Sequence, residues 1–421
     1  MNTALRPASF FERYQICRTE NRYYLNFNIT AEYPVSVTKE KLSNALYNII
    51  NENQILGCNF FGNGELKDDY KNFGLKGIPV TYDSLVYETE YDIVPEFFKF
   101  LNSVHFEVNS DKPLWRLFVK GNRITICCNH GFFDGNVGAW FHKELLKQLK
   151  DMPNDVEFKE SLNEKVTWLP SFNDTLYNPS IWFAVTTLVK HFTPTWIKRI
   201  LAYFTYPNVY KYPKFQPTPI QLGQHTDYRI LRLTKDQVSS ILNFTRQTGT
   251  KFTPWFGSMV QSSFQKIHPN YSMSYSIPLN GRRYFNFKKF PVQNMVAASD
   301  FWIEPGTNPN KITKYIADCL NNDLESRDPF FFAGMLKSVN IANFLKAKIG
   351  SFGRATFEIS NVGVMPMPCW FSQDNGFLSY LQYNVISSPE GLNIVVGGID
   401  VDLERIVDTL QKDIDDFVEN L

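Results

Sequence analysis

The sequence predicts a layered α/β protein of two halves, each combining mixed or antiparallel strands with helices. Three observations support this fold class. The chain has 421 residues, more than one domain of about 150 residues and enough for two large ones. Hydrophobic residues make up 43% and charged residues 20%, so large cores can form. Segments typical of strands alternate with amphipathic helical segments in both halves.

The first half is predicted as strand, helix, hairpin and helix. A β-rich segment at 23–30 precedes a helix that starts near Thr38. Two strands, at 114–120 and 123–129, are joined by a short turn, and a second helical stripe follows at 137–149. The apolar stripe of the first helix comprises Leu42, Ala45, Leu46, Ile49 and Ile50.

The second half opens in the same way, which suggests a duplicated architecture. A strand at 229–233 leads to Thr234 and Gln237, the two partners of a capping box. A further helix is predicted with Thr253 as its N-cap and Pro254 in its first position. The remaining predicted elements are strands at 274–279, 355–360, 381–386 and 392–397 and a helix at 403–421.

These patterns divide the chain into an N-terminal half at 1–165, a linker at 166–226 and a C-terminal half at 227–421. The most apolar stretch of the linker, 181–204, is interrupted by charged residues and a proline, so it does not predict a membrane-spanning helix. Two interpretations stay open for it: a helix pair that caps the core, or a peripheral segment on a membrane surface. The interrupting residues are Lys190, His191, Pro194, Lys198 and Arg199.

Composition excludes several classes of protein. The 43 Lys and Arg residues balance 42 Asp and Glu, so a nucleic-acid partner is not expected. Six cysteines without a C-x-x-C pair predict neither a disulfide scaffold nor a structural metal site. The N-terminal residues lack the apolar run of a secretory signal, which favours the cytoplasmic side of the cell. Phosphate-loop, dinucleotide-binding and hydrolase-elbow motifs do not occur.

One segment, ITICCNHGFFDG at 124–135, carries a candidate for chemistry. His130 follows a predicted strand, and Asp134 and Gly135 precede a predicted helix. An H-x-x-x-D match alone is expected by chance about 0.3 times in such a chain, but the added Gly and preceding strand lower this to the order of 0.01. A helix N-cap would explain Asp134 without explaining His130.

HGFFDG after ITICCN resembles the H-x-x-x-D-G motif of acyl-CoA-dependent acyltransferases with the chloramphenicol-acetyltransferase fold. Further segments are similar, in order along the chain, to the fungal alcohol O-acetyltransferases, a family that includes an N-acetyltransferase of sphingoid-base analogues. ISNVG occupies the position of the DFGWG motif of the plant branch. The similar segments are SFFERYQICR, KPLWRLFVK, SIPLNGRRY, ISNVG and EGLNIVV.

The resemblance implies two pseudo-equivalent domains with an active-site channel between them. It also implies acetyl-CoA as co-substrate, no metal, and an apolar acceptor such as an alcohol, a sterol or a sphingoid-like base. His130 would act midway along the channel as general base on the acceptor hydroxyl or amine.

The resemblance assigns supporting roles to other residues. Asp134 would be structural and would pair with Arg282 or Arg283, while Gly135 would allow close approach at the helix start. Ser360 and Asn361 are candidates to line the channel and to stabilise the oxyanion.

Two alternatives remain at this level. Cys128 lies two residues before His130 on the same strand face, so the pair could run a ping-pong transfer through a thioester. A non-catalytic member could instead bind lipid or membrane through 181–204. The intact H-x-x-x-D-G motif favours an enzyme.

Overall fold

The computed structural model of the chain describes residues 5–63, 70–167, 169–194, 196–197, 200 and 212–421. Its strands are β1 (Arg6–Pro7), β2 (Phe27–Glu32), β3 (Cys58–Phe61), β4 (Gly74–Gly77), β5 (Val86–Glu88), β6 (Trp115–Lys120), β7 (Arg123–Cys128), β8 (Asp227–Thr234), β9 (Met273–Asn280), β10 (Val296–Ile303), β11 (Ala355–Val364), β12 (Cys369–Gln373), β13 (Ser379–Ser388) and β14 (Gly391–Gly398). Its helices are α1 (Phe10–Glu20), α2 (Lys39–Glu52), α3 (Tyr82–Leu85), α4 (Pro95–Ser103), α5 (Gly135–Asp151), α6 (Asn173–Leu176), α7 (Ile181–Phe192), α8 (Lys235–Gln247), α9 (Phe252–Ile267), α10 (Pro309–Ser326), α11 (Asp328–Gly334), α12 (Ile341–Lys346) and α13 (Leu403–Glu419).

Two main sheets organise these elements and confirm the predicted α/β class. The N-terminal sheet has the strand order β12-β2-β7-β6-β5, and the C-terminal sheet has the order β10-β9-β11-β13-β14-β8. A smaller sheet, β1-β4-β3, lies beside the first. Parallel and antiparallel pairs occur in both main sheets, so each is a mixed sheet.

Strand β12 crosses from the C-terminal half into the N-terminal sheet. It runs antiparallel to β2, with Cys369 opposite Ala31 and Gln373 opposite Phe27. The backbone hydrogen bonds of this pair join segments that are far apart in sequence, so the two halves share one sheet edge.

Strands β9 and β11 of the C-terminal sheet separate after a short parallel contact. Only Tyr275 with Phe357 and Ser276 with Glu358 are paired between them. Beyond this point β9 follows β10 while β11 follows β13. The divergence opens a gap between neighbouring strands at 277–280 and 359–362.

Local signals located most helix starts. Thr38 caps α2, and Thr234 forms the predicted capping box with Gln237 at the start of α8. The predicted start of the next helix was wrong, because α9 begins at Phe252 after the N-cap Lys251. Pro254 therefore occupies the third helical position, which also tolerates proline because the first-turn N–H groups have no intrahelical acceptor.

Within the apolar linker stretch, α7 is a surface helix. Its exposed face includes Ile181, Trp182 and Val189, which are 85%, 76% and 63% exposed. On the inner side the ring of Phe183 packs against Phe331, with centroids 5.5 Å apart. No helix among the described residues has the length and hydropathy needed to cross a bilayer. Two of the basic residues that interrupt this apolar stretch, Lys198 and Arg199, lie outside the described residues, as do residues 201–211.

Candidate active site

The β6–β7 hairpin brings His130 to the edge of the N-terminal sheet. Cys128, the last residue of β7, is opposite Trp115 on one side and Phe27 on the other. Beyond the strand, the Asn129 N–H donates to the Leu114 carbonyl at 3.0 Å. The Asn129 side-chain oxygen then accepts from the Gly131 N–H at 2.8 Å. These bonds fix the backbone on both sides of His130.

The imidazole of His130 is held in one tautomer. Its Nδ1 lies 2.7 Å from the Phe133 carbonyl oxygen, which can only accept, and 3.2 Å from the Asn294 amide nitrogen; the shorter contact assigns the proton to Nδ1. The Asn294 amide donates to the backbone carbonyl of His130 at 2.9 Å. Nε2 has no hydrogen-bond partner among the described residues and therefore presents a lone pair.

Aromatic rings and burial keep this imidazole neutral. The rings of Tyr24 and Phe27 lie 5.0 and 4.8 Å from it, centroid to centroid. Burial, and secondarily the nearby Arg18 guanidinium, lower the pKa of His130 to about 3, although Asp134 acts in the opposite direction. At neutral pH the side chain can accept a proton.

The Asp134 carboxylate accepts hydrogen bonds from backbone N–H groups and from an arginine. Its Oδ1 accepts from the Val137 N–H at 3.0 Å, as an N-cap of α5. Its Oδ2 accepts from Arg282 at 2.8 Å and from the Met295 N–H at 2.9 Å. Each carboxylate oxygen is thus occupied, and none of these bonds goes to the imidazole of His130.

Of the two predicted arginine partners, Arg282 forms the pair. It is 7% exposed and also stacks on the Phe290 ring at 4.7 Å. Arg283 is exposed and lies over the ring of Tyr284 at 6.0 Å. The turn after β9 therefore points one arginine inward and its neighbour outward.

Gly135 lies where the first helical turn of α5 meets β11. A Cβ atom at this position would come within 2.6 Å of Val362 Cγ1. The close approach requires glycine and brings β11 against the loop that carries His130.

The two candidate oxyanion residues lie on opposite faces of β11. Ser360 is buried and shares its strand face with Glu358, whose carboxylate accepts from Gln373 of β12 at 3.0 Å. Asn361 is exposed, and its amide donates to the Thr253 hydroxyl at 3.3 Å. Only Ser360 therefore faces the N-terminal half.

Cys128 is poorly suited to be a nucleophile. Its side chain is fully buried, and this burial raises the pKa of the thiol well above its ordinary value. No hydrogen bond joins Cys128 to His130 in the described part of the chain. These features oppose the ping-pong alternative, because a thiolate is the reacting species in such a transfer.

Three further residues surround His130 that the sequence did not single out. Asn294 lies in a loop without a recognisable motif. Tyr24, in the segment after α1, packs beside the imidazole ring. Arg18, on α1, is near enough to lower the pKa of His130. Arg18 lies in SFFERYQICR, one of the segments that carried the family resemblance. That resemblance marked the segment but did not indicate a role for Arg18.

A cavity of about 260 Å³ occupies the gap between β9 and β11. It extends to the first turn of α9 and to α10, and Lys251, Thr253 and Asn361 contribute polar groups. Thr250, also in the lining, has a buried hydroxyl oxygen without a hydrogen-bond partner. The cavity therefore combines an apolar strand edge with groups that can bind a polar chain.

The fold is that of the two-domain condensation and acetyltransferase proteins. The structure of the trichothecene 15-O-acetyltransferase TRI3 from Fusarium sporotrichioides superposes with a TM-score of 0.66 at 14% identity, covering 98% of this chain and 94% of that one. Polyketide synthase associated protein 5 from Mycobacterium tuberculosis gives a TM-score of 0.63 at 15% identity, covering 99% of each chain.

The sequence places the chain more narrowly within this class. It belongs to the alcohol acetyltransferase family, whose model matches residues 8–79 and 86–419. It is also 23% identical over 405 residues to the N-acetyltransferase SLI1 of Saccharomyces cerevisiae, covering 83% of this chain and 86% of that protein. Membership of this family confirms the resemblance predicted from the sequence and indicates an acetyltransferase with acetyl-CoA as co-substrate.

Proposed function

We propose that this protein transfers the acetyl group of acetyl-CoA to the hydroxyl or amine of an apolar acceptor, with His130 as general base. The observation that carries the proposal is the state of the imidazole. Its Nδ1 proton is engaged by the Phe133 carbonyl, and its Nε2 lone pair has no partner among the described residues. Burial lowers the pKa of His130, so the ring is neutral at physiological pH and its Nε2 lone pair is unprotonated.

In this reaction His130 Nε2 takes the proton of the attacking group as its bond to the acetyl carbon forms. The carbon–sulfur bond of the thioester then breaks, and the CoA thiolate leaves and receives that proton. Acetyl-CoA supplies an acetyl carbon activated as a thioester. A hydroxyl is a weak nucleophile at neutral pH, and proton removal as the new bond forms contributes about 10²- to 10⁴-fold to the rate. When the acceptor is an amine, the attacking nitrogen must likewise lose a proton. The neutral base therefore serves both O- and N-acetylation.

Ser360 is the proposed donor to the developing oxyanion. It is buried on the face of β11 that Glu358 also occupies, two residues before Val362, which meets Gly135 next to the His130 loop. A fixed hydroxyl there would stabilise negative charge that appears only in the transition state. Asn361, on the other face, is proposed instead to contact acetyl-CoA.

The gap between β9 and β11 is the proposed route for the pantetheine arm of acetyl-CoA. Its cavity is lined by Lys251, the N-cap of α9, and by Thr253 in the first turn, where the helix N-terminus and a cation favour polar or anionic groups. The buried Thr250 hydroxyl has no hydrogen-bond partner among the described residues, and a polar group of the pantetheine arm could bond to it.

Release of free CoA from acetyl-CoA by the purified protein tests the proposal. The acceptor panel contains a medium-chain alcohol, a sterol and a long-chain amine. We expect acceptor-dependent release that falls by about 10²- to 10⁴-fold in His130→Ala. His105→Ala, at an exposed histidine, is the matched control and keeps wild-type activity. Activity within tenfold of wild type in His130→Ala would rule out the role of this residue.

We further propose that α7 rests on a membrane surface. Its exposed apolar face includes an aromatic side chain, Trp182, of the kind favoured at the interface of a bilayer. Membrane contact would bring an apolar acceptor close to the enzyme.

Flotation with liposomes of phosphatidylcholine and phosphatidylserine tests this contact. We expect wild type to float and the double variant Ile181→Ser, Trp182→Ser to stay in the dense fraction. Trp302→Ser removes an exposed tryptophan elsewhere on the surface and is the control. Equal flotation of all three proteins would exclude α7 as the contact.

A further inference from the structure

A row of polar side chains crosses the C-terminal sheet from its edge strand toward its centre. Asp300 on β10 is paired with Ser276 on β9, which is paired with Glu358 on β11, and Glu358 is paired with Gln382 on β13. Residues directly opposite each other on neighbouring strands project to the same face of a sheet. These four side chains therefore form one continuous polar row, which we name the acidic row.

The acidic row leads from solvent into the interior. Asp300 is exposed and Ser276 is partly buried, whereas Glu358 is 5% exposed and Gln382 is fully buried. Sheet interiors rarely bury a carboxyl group next to an amide without a compensating partner. The inner end of the row therefore buries a carboxyl group and an amide side by side.

Gln382 lacks the partners that a buried amide requires. Its Oε1 is buried without a hydrogen-bond partner within the described residues. Its amide nitrogen is directed at the Glu358 carboxylate and, as a hydrogen-bond donor, lowers the pKa of that group. An acceptor oxygen is therefore available beside the carboxyl group, and an ammonium group, which only donates, could bind to both.

A chain of contacts connects Glu358 to the catalytic imidazole. Gln373 donates to Glu358 Oε1 at 3.0 Å and accepts from the Tyr24 hydroxyl at 3.3 Å. The Tyr24 ring lies 5.0 Å from the ring of His130. Glu358 also shares a face of β11 with Ser360, the proposed oxyanion donor. The inner end of the acidic row thus adjoins the site of acetyl transfer.

The Glu358 carboxyl group has no cationic partner in direct contact. Arg18 is near enough to lower its pKa, but the Arg18 guanidinium donates to Gln15 at 2.9 Å and stacks over Tyr24 at 4.5 Å. No ion pair joins Arg18 to Glu358 within the described residues. Burial, with a smaller contribution from Asp300, raises the pKa of Glu358 to about 7. A bound cation would compensate this buried acid.

We propose that Glu358 and Gln382 form a subsite for the ammonium group of an amine-bearing apolar acceptor, with Asp300 at its entrance. The subsite rests on the proposed acetyl transfer at His130 and narrows the acceptor class. Glu358 supplies charge and Gln382 supplies hydrogen bonds, while the apolar part of the acceptor lies elsewhere. Plain alcohols lack the group that this subsite recognises.

The test compares two acceptors that differ only by an amino group, decan-1-ol and 2-aminodecan-1-ol. CoA release by the full-length protein gives kcat/KM for each. We expect Glu358→Gln, which keeps the shape and removes the charge, to lower the ratio of amino alcohol to alcohol at least tenfold, mainly through KM. Gln382→Leu should shift the ratio in the same direction. Glu404→Gln, at an exposed carboxylate, is the control and leaves the ratio unchanged.

The outcomes separate the subsite from the reaction itself. A ratio within about twofold of wild type in both Glu358→Gln and Gln382→Leu, with an unchanged unfolding midpoint, would overturn the subsite while leaving acetyl transfer intact. No CoA release by wild type with either acceptor would overturn the proposed function, and the subsite with it.

Discussion

The Arg282 guanidinium donates a 2.8 Å hydrogen bond to Asp134 Oδ2 across 148 residues of sequence. Both side chains are buried, at 7% and 3% exposure. The bond ties the loop after His130 in the N-terminal half to the turn after β9 in the C-terminal half. Asp134 therefore holds the histidine loop in place through contacts that do not include the imidazole.

Removing the Asp134 carboxylate should destabilise the fold. Asp134→Ala leaves Arg282 buried and uncompensated and removes the cap of α5, so we expect a loss of about 3–5 kcal/mol in the free energy of unfolding. Urea unfolding followed by circular dichroism measures it. A loss of activity with unchanged stability would indicate a chemical role for Asp134 instead.

A double-mutant cycle isolates the pair from its surroundings. We expect Asp134→Ala and Arg282→Ala to be non-additive by at least about 1 kcal/mol in unfolding free energy, because the second change costs less once its partner is gone. Arg283→Ala, one residue away and exposed, is the matched control and should have no effect. Additive losses would contradict an energetic coupling of the two residues.

The contact between Gly135 and Val362 predicts a size constraint. Gly135→Ala places a methyl group 2.6 Å from Val362 Cγ1, so we expect about 1–3 kcal/mol of destabilisation. Val362→Ala in the same chain should restore part of this loss by removing the clashing methyl. Thermal unfolding of the single and double variants provides the measurement, and a Gly135→Ala protein as stable as wild type would contradict the constraint.

The opposite orientations of Ser360 and Asn361 predict different kinetic effects. We expect Ser360→Ala to lower kcat by about 10²-fold with little change in the KM for acetyl-CoA, because the hydroxyl acts in the transition state. Asn361→Ala should raise that KM with a smaller effect on kcat. Steady-state kinetics with acetyl-CoA varied distinguishes the two, and equal effects would show that the strand face does not separate their roles.

The lowered pKa of His130 predicts an acid-sensitive fold. The folded-state pKa is about 3 and the ordinary value is 6.5, so between these values only the unfolded state binds the proton. The native state is therefore progressively destabilised as pH falls below about 6.5. His130→Gln lacks this titration, and we expect it to gain about 1–2 kcal/mol relative to wild type between pH 7 and 5.

Urea unfolding of both proteins at the two pH values measures this shift. A stability difference that does not change with pH would mean that the histidine titrates normally in the folded state. The same pKa predicts that kcat/KM for a neutral alcohol acceptor has no acid limb from His130 above pH 5.

The sequence predicted those features that depend on local order. The capping residue Thr38, the capping box at Thr234 and the strand that ends before His130 each depend on side chains within a few residues. The family resemblance implied an arginine partner for Asp134 and left Arg282 and Arg283 open as candidates. Choosing Arg282 required the direction of a turn that local sequence does not specify.

The features that the sequence did not predict depend on packing between segments far apart in the chain. Asn294 and Gln373 reach the site from distant segments and carry no motif of their own. The acidic row depends on the registers of three strand pairs, and register is set by the whole sheet. The crossing of β12 into the N-terminal sheet likewise follows from tertiary packing, since an isolated five-residue strand gives no indication of its partner.

Strand β12 also constrains the order of events on the ribosome. Strand β2 emerges well before its edge partner at Cys369–Gln373, which follows far later in the chain. At about 5–20 residues per second, β2 waits on the order of tens of seconds with an unpaired edge. During that interval the nascent chain offers a template for intermolecular strand pairing, so chaperone protection of β2 would be needed most before the C-terminal sheet forms.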